Sequence, residues 1–284
     1  MSNPPLAITG STGLLGAQVA SLLSAAGAQL RLLARTPDRA PRLPGSAAVA
    51  CSYDDTAAAA SALEGIDVLF MVSASESADR LAQHFAFVDA ARDAGVQHIV
   101  YTSFQNAAPD ATFTLARDQY ATEERIKASG MRWTMLRDSL YLDFLPALVG
   151  DDGVIRGPAG DGRVAAVTRA DIARTAARVL LDPAAHAGRT YTLTGSEALT
   201  LDEVAAILTR DTGRTVRFHD ETLDEAYASR AKWNAPDWQN DAWVSTYTAI
   251  AAGELAEVTT DVLDITGTPP LTLVDYLAGT RQTS

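Results

Sequence analysis

Apolar positions along this 284-residue chain fall into two rhythms. Up to residue 137, short unbroken apolar runs alternate with longer segments of helical periodicity; beyond it the helical spacing dominates. A short apolar run bounded by glycine or polar residues is the pattern of a strand buried on both faces. Such strands alternating with helices predict an α/β fold, a doubly wound parallel (Rossmann) sheet. The first strand opens the stretch Ala7-Ile-Thr-Gly-Ser-Thr-Gly-Leu-Leu-Gly16, which runs on into a helix at Ala17-Gln-Val-Ala-Ser-Leu-Leu23. Ala28–Ala34 reads as a second strand behind the helix-ending Gly27, and Ala47–Cys51 as a third. Ile66–Val72, Ile99–Thr102 and Arg132–Arg137 follow as the fourth, fifth and sixth, with helices over 56–64, 78–94 and 115–129 between them.

Beyond 137, Asp138–Pro146 reads as a loop entering a short helix, and the turn-rich Gly153–Gly162 as a hairpin or lid base. Asp171–Leu181 is an amphipathic helix, Thr190–Thr194 a last strand, and everything after Thr200 helical, over 201–208, 221–231 and 241–253. The expected division is a dinucleotide-binding domain, 1–150 with 163–195, and a smaller, mostly helical lobe, 196–284 with 151–162. Residues Arg281–Ser284 are expected to fray.

The glycines of the opening stretch have separate tasks. Gly10 permits the turn, Gly13 lets backbone approach a pyrophosphate, and Gly16 lets the helix pack on the strand. Phosphates would then meet free N–H groups at the positive end of the helix, contacting Gly10, Thr12, Gly13, Leu14 and Leu15. An NAD site usually ends the second strand with an acid for the ribose 2′-hydroxyl. This chain has Arg35 there and Arg39 a turn later, and a planar, permanently charged guanidinium suits a 2′-phosphate, which reads as NADP. A solvated arginine at a strand edge is the plainer alternative. The third strand ends at Ser52-Tyr53-Asp54-Asp55, where the adenine would lie, and Ser73-Ala-Ser-Glu76 should line the crevice at the carboxyl edge.

Composition narrows the class. At 47% hydrophobic and 20% charged residues the chain is an ordinary globular protein. A net charge of −12 with no basic run argues against nucleic acid, and no apolar run reaches the ~20 residues of a membrane span. The chain opens directly into its first strand without a leader-like segment, which with a single cysteine, Cys51, points to the cytoplasm. Cys51 reads as a small apolar residue at a strand end. His98 begins a strand, His186 lies in a turn and His219 in an acidic connection; none has a second His or Cys at metal spacing, so no metal site is expected. Trp233, Trp238, Trp243 and Tyr247 crowd the helical part, either as core or homodimer contacts or as an aromatic wall over a flat substrate.

Tyrosine-dependent short-chain dehydrogenases share this fold and use Tyr-x-x-x-Lys for proton transfer. The lysines here are Lys127 and Lys232, preceded four residues earlier by Glu123 and Ala228, and Tyr120 has Glu124 four residues on. The pattern argues against that mechanism. The chain instead resembles the atypical short-chain dehydrogenases of the NmrA-like group, and within it the bacterial NADPH:quinone oxidoreductase type. The matching stretches are Thr9–Gly16, Ser73–Glu76 with Arg80 and His84, Tyr101–Ser103, Thr122-Glu123 with Ser129-Gly130, Leu136-Arg137 with Tyr141, Ala159–Gly162 with Thr168–Asp171, and Gly267–Pro270.

The resemblance implies NADP(H) along the glycine turn with Arg35 on the 2′-phosphate, and Ser73, Ser103 and Phe104 beside the nicotinamide ribose and ring. It implies hydride transfer to a flat acceptor near Tyr141, in a cleft between the lobes. It also marks Arg80, His84, Tyr141 and Asp143 as substrate-side residues, with Tyr141 and Gln119 at the catalytic centre; for Arg80 and His84 the alternative reading is structural, anchoring their helix. Three departures stand out: Gln119 where the group often has His or Lys, Ser52 where an acid commonly precedes Tyr53, and Asp143 where Asn is expected. A quinone accepts hydride readily and takes its proton from water, so positioning carries most of the rate. Two other functions fit the same fold: an NADP-sensing regulatory protein without turnover, and a cyclase or isomerase.

Overall fold

The computed structural model describes residues 6–282. Its first part alternates as the apolar rhythm requires: β1 (Leu6–Ile8), α1 (Leu14–Ala25), β2 (Leu30–Ala34), β3 (Ser46–Ala50), α2 (Thr56–Leu63), β4 (Val68–Met71), α3 (Arg80–Asp93), β5 (His98–Phe104), α4 (Thr114–Ala128) and β6 (Arg132–Asp138). Then come β7 (Val154–Gly157), β8 (Arg163–Val164), α5 (Arg169–Leu181), β9 (Arg189–Leu193), β10 (Leu199–Thr200), α6 (Leu201–Thr212) and β11 (Arg217–Asp220). Four helices close the chain: α7 (Leu223–Arg230), α8 (Asp237–Ala251), α9 (Asp261–Thr266) and α10 (Leu273–Gln282).

Seven strands form one sheet in the order β3-β2-β1-β4-β5-β6-β9. The pairings of β1 with β2 and β4, of β2 with β3 and of β4 with β5 are parallel. Strands Leu69–Met71 and Ile99–Tyr101 are wholly buried and pack with Phe87, Val88, Leu63 and Ile126 from the helices, which is why these runs carry no polar alternation. Connectivity leaves β1 toward β2 on one side and returns to β4 on the other. Between β1 and β4 the flanking connections diverge and leave a crevice at the carboxyl edge.

The chain divides into two compact units, Met1–Phe104 with Asp118–Arg137 and Ile172–Tyr191, and Gln105–Arg117 with Asp138–Asp171 and Thr192–Ser284. The bounds of these units differ from the division expected above. Residues 105–117, 138–150, 163–171 and 192–195 fall in the second unit, where their hydrogen bonds go: Gln105 Nε2 to Glu257 O (3.2 Å), Thr112 N to Glu254 Oε2 (3.2 Å), Leu142 N to Val167 O (2.9 Å), Thr192 N to Asp261 Oδ2 (2.7 Å). Gly153–Gly162 is not a hairpin. β7 pairs in parallel with β11, and β8 antiparallel with β10. Two of its glycines serve close packing: a Cβ on Gly157 would lie 2.2 Å from the Tyr247 ring, and one on Gly162 2.1 Å from Ile250 O. Thr190–Thr194 is therefore not the last strand. Arg217-Phe-His-Asp220 offers one apolar residue to periodicity and becomes a strand through its partner. Of the end expected to fray, Arg281 lies in α10, and 283–284 fall outside the described residues.

The tightest backbone approach in the first unit is at Gly16, where a Cβ would stand 2.3 Å from Gly10 O and 2.9 Å from Thr9 O. At Gly13 the nearest atom would be Gly10 O at 3.3 Å. Gly16→Ala should lower unfolding stability by about 1–3 kcal/mol in urea titration, whereas Gly13→Ala should stay within about 0.5 kcal/mol. Equal stabilities would show that the helix does not need that contact.

Candidate functional site

The carboxyl ends of β1, β4 and β5 lie side by side, and threonine hydroxyls join their exits. Thr9 Oγ1 accepts the Val72 N–H (2.8 Å) and Thr102 Oγ1 accepts the Ser73 N–H (2.9 Å). On this edge the turn after β1 stands open. Gly10 takes φ +60°, its carbonyl accepts Gly13 N–H (2.9 Å), and Gly10, Thr12, Gly13 and Leu14 are exposed. Helix α1 starts at Leu14 without a side-chain cap and without an acid in its first turn. Its leading N–H groups have no intrahelical acceptors and face the same turn, a geometry that binds anions. The residues present fit a pyrophosphate, because the bare space at Gly13 is not demanded by the protein's own packing. Leu15 can contribute only its backbone, since its side chain is buried.

Arg35 follows β2 directly, is exposed, and makes no ion pair among the described residues. The neighbouring Asp54 carboxyl is held below its usual range by the Ser52 hydroxyl and, more weakly, by Arg35. Tyr53 is better placed as wall than as ligand contact. Its ring stacks on Phe87 (centroids 4.3 Å apart) and its hydroxyl lies 2.6 Å from both Thr9 Oγ1 and Val72 O. Cys51 is buried and its thiol is pushed up to about 11, chiefly by that burial, which suits an inert packing residue.

Behind the edge lies a buried polar scaffold that holds several residues expected to touch ligand. Ser103 donates its hydroxyl to Glu123 Oε1 (2.6 Å), and Glu123, itself fully buried, is bridged by Arg137 through Nε (2.8 Å) and a terminal nitrogen (2.7 Å). Phe104, next in the strand, is half-buried. Gln119 is buried and accepts the Tyr101 hydroxyl, so its amide oxygen is not offered to a substrate. Arg80 is 4% exposed and ion-paired with Asp118 (3.3 Å). His84 is completely buried, with hydrogen bonds at both ring nitrogens. Gln119, Arg80 and His84 are thus buried, and each is engaged by a partner within this scaffold.

Within the second unit, Tyr141 and Asp143 come together through Arg169, which periodicity did not single out. The Arg169 guanidinium lies over the Tyr141 ring at 4.2 Å and is ion-paired with Asp143, whose other oxygen accepts the Arg169 N–H (3.3 Å). Asp143 is thus engaged by a cation, and burial first, then nearby Asp138, push the Tyr141 phenol upward. Asp138 ends β6, is 2% exposed, and neither carboxyl oxygen has a hydrogen-bond partner among the described residues. Trp233 is 57% exposed and meets Trp243 edge-on at 5.7 Å; Trp238 is half-buried. The signals for Thr102, Glu123 and Arg169 were present in the matching stretches, but which partner each takes depends on strand order. Among the described residues no cluster of three or more His, Cys, Asp or Glu could hold a metal ion, and no helix is long and apolar enough to cross a membrane.

Residues 3–229 match the NmrA-like family. The chain is 34% identical over 281 residues to quinone oxidoreductase 2 of Escherichia coli, covering 96% of this chain and 97% of that protein. It is equally 34% identical to a (4-alkanoyl-5-oxo-2,5-dihydrofuran-3-yl)methyl phosphate reductase of Streptomyces griseus, over 95% and 96% of the two. The crystal structure of the Escherichia coli NADPH-dependent quinone oxidoreductase QOR2 complexed with NADPH superposes with a TM-score of 0.89 at 33% identity, covering 97% of this chain and 99% of that one.

Burial alone raises the Asp138 carboxyl well above the usual carboxylate range. The folded protein then holds a proton that the unfolded chain releases, so this residue's contribution to stability falls as pH rises from the unfolded pKa of about 3.9 to the raised folded value. Asp138→Asn removes that loss. The variant should match the parent near pH 4 and gain on it by up to about 1.4 kcal/mol per pH unit above, read by thermal or urea unfolding from pH 4 to 8. A gap that does not widen with pH would mean the carboxyl is ionised in the fold.

Proposed function

The chain belongs to the NmrA-like family, and on that premise we propose that it is an NADPH-dependent oxidoreductase passing hydride to a quinone or a related conjugated carbonyl acceptor. The observation that carries this reading is the open turn Gly10–Leu14 at the start of an uncapped helix, beside the point where strand order reverses. Pyrophosphate would be held by the amides of Thr12, Leu14 and Leu15, with Gly10 shaping the turn and Gly13, whose own N–H goes to the Gly10 carbonyl, leaving room for the close approach. Arg35, exposed and without an ion pair among the described residues, would take the 2′-phosphate bidentately. Ser73 and Phe104, half-buried at the exits of β4 and β5, would border the nicotinamide end, and Ser103 would support it from below through Glu123.

NADPH, when bound, supplies the hydride. The protein's part is to orient and to exclude water. Tyr101, His84 and Gln119 are closed into the scaffold, which leaves none of them to act as a proton donor at this edge. An acceptor whose reduced form takes a proton from water fits that arrangement better than an alcohol or a simple ketone. Both named relatives, by the compounds in their names, handle rings with carbon–carbon double bonds conjugated to carbonyls. Within the second unit Tyr141, held by Arg169 and Asp143, keeps its place as the aromatic candidate for such a planar acceptor.

Loss of NADPH absorbance with a panel of quinones and acyl-substituted enones tests the reading; no oxidation by any of them would overturn it. Arg35→Asp should weaken NADPH by at least about tenfold while leaving NADH within about twofold, as loss of one charge-assisted phosphate contact implies. Equal effects on both nucleotides would remove Arg35 from the 2′-phosphate.

A further inference from the structure

The segment leaving β4 is fixed by two consecutive amides. Ser73 N–H donates to Thr102 Oγ1 from β5 (2.9 Å), and Ala74 N–H donates to His84 Nε2 from α3 (2.9 Å). The Ser73 hydroxyl itself makes no hydrogen bond among the described residues and is half-exposed. The other face of the imidazole is equally determined. Nδ1 lies 2.9 Å from Thr122 Oγ1, whose hydroxyl hydrogen goes to Asp118 O (2.7 Å), so Nδ1 carries the hydrogen and Nε2 the lone pair. Tyr101 stands 3.5 Å from Nδ1 but gives its proton to Gln119.

The charged form of His84 is disfavoured by complete burial first and by Arg80 one turn earlier second, which lower its pKa to about 3. The ring is walled by Tyr53 and Tyr101, both edge-on at 6.0 Å, and neither supplies a counter-charge. Only a neutral ring in this tautomer can accept from a strand exit and donate to a helix together.

We propose that His84 is a positioning residue for the nicotinamide end of the cofactor: by holding the Ala74 amide, it and Thr102 set where the free Ser73 hydroxyl stands. This rests on the NADPH reading above. A residue that merely fills the core would matter for stability and not for one end of a nucleotide.

The test compares two probes by calorimetric titration of the intact protein: NADPH, and adenosine 2′,5′-bisphosphate, which lacks the nicotinamide half. His84→Phe, which keeps an aromatic ring but no acceptor, should weaken NADPH by about tenfold and leave the bisphosphate within about twofold, the loss expected of one amide contact. His84→Gln, whose amide oxygen can reach the Ala74 N–H, should recover most of the NADPH affinity. Thr102→Val, which deletes the companion acceptor, should repeat the pattern and serves if His84→Phe does not fold. The imidazole 15N spectrum of the parent should show a protonated Nδ1 and an acceptor Nε2. Unchanged NADPH binding in His84→Phe, equal weakening of both probes, or failure of Gln to rescue would overturn the assignment while leaving the cofactor reading intact. A parent protein that binds NADPH no better than the bisphosphate would also overturn it, and one that binds neither would overturn both.

Discussion

Close contact between the backbone of the first turn and the first helix is the constraint on which the rest depends. Gly16 lies so near the carbonyls of Thr9 and Gly10 that no side chain fits, and Gly10 must take a left-handed conformation against Val72. That packing directs the unbonded amides of α1 toward the open edge. Strand order then places the exit of β4 next to the same turn, because the sheet reverses between β1 and β4. An anion-binding turn and the strand exits that border it are therefore products of one backbone arrangement.

Around this edge the chain uses polar groups as structure. Thr9 and Thr102 supply hydroxyl acceptors for amides that a simple parallel ladder would leave unpaired, and unpaired buried amides each cost about 1–3 kcal/mol. Glu123 sits fully buried yet receives Ser103, Arg137 and, at 3.6 Å, Lys127. An ion pair of this kind is weak evidence for stability and stronger evidence for a defined geometry, since every partner has one place to stand. The second unit follows the same habit at Arg230, which is buried, bonded to Glu221 (2.9 Å) and the Ala226 carbonyl (2.8 Å), and lies over Tyr247 at 5.1 Å.

Ionisable residues in this protein are consequently poor guides to chemistry when read by type alone. His84 and His98 are both buried and both lowered by that burial, the latter to about 4, with His98 Nε2 2.9 Å from Thr134 Oγ1. Asp143 is engaged by Arg169, and Gln119 by Tyr101. The groups left open at the edge are backbone amides, the Ser73 hydroxyl and Arg35, which by type suit binding and orienting more than proton transfer.

The sequence alone determined the alternating sheet, the glycine turn with its three distinct tasks, the missing Tyr-x-x-x-Lys and the arginine after the second strand. These are local facts, set by apolar runs, glycine spacing and the residue that happens to end a strand. Tertiary structure decided what local pattern cannot encode: that 105–117 and 138–150 join the second unit, that β7 pairs with β11 and forms no hairpin, and that Arg169 couples Tyr141 to Asp143. It also decided that Arg80, His84 and Gln119, polar by sequence, face inward. The reason is physical: a side chain's partner, and hence its charge and role, is fixed by which strand or helix packs beside it, and residues far apart in the chain supply that neighbour.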